Sequence, residues 1–232
     1  MSKINKNSIF YKLYLYYNLY FRHKALKKRT SYSQNQEDLF INDYFREKNK
    51  GFYIDIGCYH PIKYSNTALL YNRGWYGINI DMNPTSIDLF NIFRKRDINI
   101  CAAISNKSHE ATLYFDHLFS PINTLDKKFS ETASKEISFN KHLEKKIYTQ
   151  KFNELMQAKN IKIKKIDFIN IDVEAHDFEV LEGIDLGLFN PKIICIEVTN
   201  SQSKTKLQNY LNKYNYHLIK EIGLNSFYEL KN

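Results

Sequence analysis

Asp172, Glu174 and His176 stand within five positions of one another. A carboxylate or an imidazole so placed can take a proton from a hydroxyl near neutral pH. Two converging carboxylates can also hold a divalent ion such as magnesium. Two positions apart, Asp172 and Glu174 project to one face if the strand before them continues. Their competing role is structural, since Glu174 or Asp177 could cap a helix beginning near 177. A second histidine, His60, falls beyond a strand end at the same edge of the expected sheet. Either histidine could equally face solvent.

These groups need elements to position them. Phe52 to Ile56 reads as a buried strand carrying Asp55, and Gly57 follows where the chain must turn tightly. A second strand, Tyr76 to Asp81, ends in an acid 24 residues beyond Gly57. Strand, glycine turn, helix and a strand ending in a carboxylate is the layout of a nucleotide-type ligand site. Gly57 lets backbone approach the ligand and Asp81 accepts from ribose hydroxyls, unless Asp81 only caps the helix at Pro84. Cys58, Tyr59, His60 and Pro61 occupy the positions where a dinucleotide fingerprint needs further glycines. That argues against a pyrophosphate on a helix N-terminus, and so against a nicotinamide-dependent oxidoreductase. A ribose-bearing ligand without pyrophosphate fits, and S-adenosylmethionine is the common one.

Further along, helices are expected over 34–47, 65–73, 84–96, 177–183 and 203–214, with strands at 98–104, 166–173 and 192–198. Ser33 to Glu37 reads as a capping box, and Ser65 as an N-cap. Residues 111–116 alternate as a short extra strand. Residues 216–222 and 226–230 face each other across Gly223 as a hairpin. Residues 117–160 show no recognisable core strand, with 140–158 expected helical. The result is an α/β chain with a doubly wound, mostly parallel sheet and one antiparallel strand near the C-terminus. Residues 31–232 form that domain, with an insertion at 117–160 expected to cover the acceptor site.

The net charge of +9 is local. Residues 1–30 carry eight lysines and arginines and no acid, which leaves +1 for the rest. A body-wide nucleic-acid surface is therefore not expected. Residues 9–21 are apolar and tyrosine-rich but too short to span a bilayer. They read as a helix docked on the domain, with a peripheral contact at the inner face of a membrane as the alternative. Cys58, Cys101 and Cys195 are widely spaced and read as buried thiols in a reducing, cytoplasmic compartment.

The sequence resembles the FkbM-type methyltransferases over roughly residues 31–200. The landmarks are Ser31-Tyr-Ser-Gln-Asn-Gln-Glu-Asp38, Tyr53-Ile-Asp-Ile-Gly57 with His60-Pro61, Ser65-Asn-Thr67, Gly74 to Asp81, and Asp167 to His176. The resemblance implies a seven-stranded Rossmann-like fold and S-adenosylmethionine-dependent O-methylation of a sugar hydroxyl on a surface glycan or its precursor. A noncatalytic, membrane-associated module of a glycan assembly complex is the alternative. Asp55 and Gly57 would form the turn at the cofactor's methionine end, and Ala102 and Ala103 would border its adenine. Glu37 and Asn66 would reach the same pocket by resemblance alone. His176, Glu174, Asp172 and His60 are the catalytic candidates, the first two favoured as base. Ala175 stands where the family usually has glycine, so a positive φ there would cost energy.

Overall fold

The computed structural model describes residues 6, 8–22, 30–115, 123–136 and 143–231. The elements run α1 (Ile9–Tyr17), α2 (Glu37–Tyr44), β1 (Phe52–Ile56), α3 (Ala68–Asn72), β2 (Tyr76–Asp81) and α4 (Pro84–Phe93). Next come β3 (Ile98–Cys101), β4 (Ala103–Ile104), β5 (His109–Phe115), α5 (Lys127–Glu136), β6 (Leu143–Gln150) and α6 (Phe152–Ala158). The chain closes with β7 (Phe168–Ile171), α7 (Asp177–Glu182), α8 (Leu186–Phe189), β8 (Ile193–Glu197), α9 (Ser201–Asn212), β9 (Tyr216–Ile222) and β10 (Asn225–Leu230).

Among the described residues the main sheet has seven strands in the order β3-β2-β1-β7-β8-β10-β9. β10 runs antiparallel to both neighbours, and the other pairs are parallel. The strands are nearly all apolar because helices cover both faces. One face stacks Ile54, Ile78, Ile169 and Ile194 against Leu155, Val180, Leu181 and Leu207. The other sets Tyr53, Phe168, Cys195 and Phe227 against Ile41, Phe45, Leu70 and Trp75. Each such aliphatic side chain contributes about 1.5–3 kcal/mol by burial.

Several expectations need correction. Residues 143–150 are not helical: they form β6, and only Phe152–Ala158 is helix. β6 lies outside the main sheet, between β4 and β5 in a second, three-stranded sheet. Its alternation is too polar to resemble a core strand, yet Leu143 to Thr149 pair with β5. The strand expected over 98–104 is divided between the two sheets at Ala102. The capping box is absent: the N-cap is Gln36 at φ 70°, and the Asp38 carboxylate accepts from Ser31, Ser33 and the Tyr32 amide. Ser65 precedes α3 rather than capping it. Cys101 is exposed, unlike Cys58 and Cys195. Among the described residues no helix is long and apolar enough to cross a membrane.

Candidate active site

The cleft opens where β1, β2 and β7 end, which is where open α/β sheets bind ligands. Gly57, Tyr59, Asp81, Ala102, Ala103, Asp172, Glu174 and His176 line it, with Asn123 and Leu125 from the far side. About 540 Å³ lies empty within it, open solvent at its mouth included.

Gly57 sits at φ 80°. A Cβ there would be driven into the Asp172 carbonyl group, 2.7 Å from its carbon. The Gly57 amide donates to Ile80 and the Asp172 amide to Ile56, so this crowding is where three strands are laced together. Asp81 is held from both sides: its carboxylate accepts from the Tyr59 amide at 2.8 Å and the Asn83 amide at 2.7 Å. Asn83, not Asp81, is the N-cap of α4. Burial outweighs those two donors and pushes Asp81 up to about 6. Its carboxylate keeps lone pairs for hydroxyl donors, and Ile80, Ala102, Ala103 and Ile104 form an apolar wall beside it.

β7 ends at Ile171, so Asp172 and Glu174 do not share a strand face as expected. Glu174 and Ala175 both adopt positive φ, 57° and 71°. Such backbone is strained for residues with a Cβ and concentrates at functional turns. The turn is pinned: Thr124 donates its hydroxyl to the Glu174 carbonyl at 2.6 Å, and the Val173 amide donates to Asp177 at 2.9 Å. Burial, then the field of Glu197, pushes Glu174 up to about 7. Burial, Glu197 and Glu174 hold Asp172 well above the carboxylate range. His176 is at the N-cap position of α7, without capping it. Its Nε2 lies 2.9 Å from the Ser105 hydroxyl, and burial lowers its pKa.

Four expected site residues lie elsewhere. His60 is buried: its Nδ1 accepts from the Ile62 and Lys63 amides, so Nε2 carries the proton toward Asn18 at 2.9 Å. Its ring shapes the turn and does not line the cleft. Asp55 and Asn66 lie behind the cleft in a polar layer, in which Asn66 donates to Asn170, and Asn170 and Thr67 donate to Asp55. Glu37 is buried, accepting from Asn35 and Asn225. The metal reading of Asp172 and Glu174 gains no support. Among the described residues no three His, Cys, Asp or Glu side chains form a group that could hold an ion.

Two residues escaped the sequence reading. Arg94 is fully buried and donates to the Pro61 carbonyl, Ser65, Thr67 and Tyr53. It ties the turn after Gly57 to the Asp55 layer. Burial works against its charge, but Tyr53, Asp97 and Asp55 more than offset that. Nothing distinguishes Arg94 from Lys95 and Arg96 in sequence. Glu197 ends β8 beside Asp172, since Ile171 pairs with Ile196 one position earlier. Its Oε2 is buried without a hydrogen-bond partner among the described residues. An acid closing a third apolar strand was the available signal.

A parallel-centred sheet with one reversed strand and a glycine-turn cleft at its edge defines a Rossmann-like transferase fold. The Methyltransferase FkbM domain matches residues 55–218, and the chain belongs to that family of methyltransferases. No curated protein matches it. Membership implies S-adenosylmethionine as methyl donor, and the cleft fits it. Gly57 brings the β1 turn to the edge of the cleft, Asp81 offers acceptors for ribose hydroxyls, and Ala102 and Ala103 stand at an apolar wall.

Proposed function

We propose that the chain is an S-adenosylmethionine-dependent O-methyltransferase that acts on a sugar hydroxyl of a surface glycan or glycan precursor. The observation that supports it is the convergence of Gly57, Asp81, Glu174 and His176 on one cleft. The glycan acceptor rests on the family resemblance. When bound, the cofactor supplies a methyl group on a sulfonium, with a neutral thioether as leaving group. The chain's own task is to align the acceptor oxygen and to receive its proton. Gly57 and Asp81 would seat the cofactor. His176, whose lowered pKa keeps it neutral at pH 7, can accept a proton while Ser105 orients its ring. Glu174, near 7, is the second proton acceptor in reach of the cleft. Asn123 and Leu125 bring the insertion to the mouth, where it would select the acceptor.

Calorimetric titration with S-adenosylmethionine and S-adenosylhomocysteine is the test. Asp81→Ala removes hydrogen bonds to a charged group, for an expected loss of about 10- to 150-fold in affinity. Saturable binding weakened by Asp81→Ala leads to a transfer assay on nucleotide sugars. Absence of binding to the wild-type chain would sink the proposal and favour the noncatalytic module.

A further inference from the structure

Apart from Lys12, α1 is apolar or aromatic around its circumference. One side docks: Tyr11, Leu15 and Leu19 pack with Leu89 of α4, alongside Ile92 and Phe93. Tyr11 also donates to Asp88 at 2.6 Å, and Asn18, in the π-helical turn that follows, meets His60. The other side is uncovered. Ile9 is 61% exposed, Phe10 78%, Leu13 57% and Phe21 68%, with Tyr16 and Tyr17 about half exposed between them. At 100° per residue Ile9, Phe10, Leu13, Tyr16 and Tyr17 fall on one continuous arc opposite the docked residues. A helix with apolar side chains on both sides belongs in a buried setting, and α4 covers only one of them.

The charge carried by this segment of the sequence says what covers the other side. Residues 1–30 carry all but one unit of the chain's net charge, and no acid. Lys12 and Arg22 flank the exposed arc. A protein groove would need no such charge excess, whereas an anionic lipid surface attracts it and accepts tyrosine at its interface. An apolar face plus a basic cluster is also the pair of signals that stable peripheral anchoring requires. We infer that the outward face of α1 docks on an anionic phospholipid surface, holding the folded domain at the membrane through α4. The turn bearing Tyr59 and His60 adjoins the same helix, so the cleft rim would stand close to that surface. This inference does not depend on the proposed methyl transfer.

Full-length protein is sedimented with vesicles of neutral phosphatidylcholine and with vesicles containing phosphatidylglycerol. Binding is expected to the second only, and to weaken with salt. Removing Lys12 and Arg22 charges should weaken it roughly fivefold for each residue. Phe10→Ser with Leu13→Ser should abolish sedimentation while leaving the melting temperature and cofactor affinity unchanged, since both side chains are exposed. No sedimentation with anionic vesicles overturns the inference. So does binding that survives the double substitution, or a stable dimer in solution that the double substitution dissociates.

Discussion

Two glycines with positive φ separate backbone strain from steric crowding. Gly57 has φ 80° and Gly74 φ 95°. An added Cβ at Gly74 meets nothing within 4 Å, whereas at Gly57 it collides with the Asp172 carbonyl and stands 3.0 Å from Val173 Cγ1. Gly74→Ala should therefore cost only the left-handed penalty, about 1–2 kcal/mol. Gly57→Ala adds overpacking of about 1–3 kcal/mol, for a total of about 2–5 kcal/mol. That is below the usual stability of a domain, so the variant should remain folded. β1 and β7 must separate at their ends to admit the methyl group. That displaces the backbone the cofactor would approach and the turn that aims Glu174. Urea unfolding measures the two costs, and titration with S-adenosylhomocysteine measures the site. Gly74→Ala should bind normally, while Gly57→Ala should bind at least tenfold more weakly, for a loss of about 1.4 kcal/mol. Equal destabilisation by the two substitutions, with binding intact in both, would refute the argument that Gly57 sets the cleft.

Arg94→Leu leaves Asp55 and Asp97 without their buried cation and should destabilise the fold by about 3–5 kcal/mol in urea. Lysine, lacking the planar fork, should rescue little. Stability of the cofactor-free protein should fall as pH rises from about 5 to 7. Asp81, Glu174, Asp172 and Asp177 keep protons in the folded state that the unfolded chain has already released, so the folded state binds more protons over that window. His176, lowered, opposes them alone. Glu229 acts the other way in acid: despite burial it is drawn down to about 2 by Lys231, Tyr44 and Lys192, so its own stabilising contribution fades as pH falls below about 4.5. A melting temperature rising steadily from pH 5 to 8 would contradict this. His176→Ala should lower kcat by about 10²–10⁴ while leaving S-adenosylhomocysteine affinity unchanged. An unchanged kcat would leave Glu174 as the proton acceptor.

The sequence by itself determined the parallel core, the Gly57 turn and the strand ending at Asp81. Each is local: apolar runs of strand length, a glycine where the chain must turn, and an acid at a fixed spacing. It also located the net charge and bounded the N-terminal helix. What it could not decide is which polar residues face the cleft and which face the layer behind it. Asp55 and Gly57 are two positions apart, yet Asp55 is turned toward Thr67 and Asn170 while Gly57 lies at the ligand edge. His60 and His176 both follow strand ends, but two backbone amides and Asn18 claim the first ring. The role of Arg94, the pairing of β6 and the meeting of Glu197 with Asp172 depend on segments distant in sequence. Those contacts exist only once the chain has closed, because a side chain's partner is set by packing across elements and not by its neighbours along the chain.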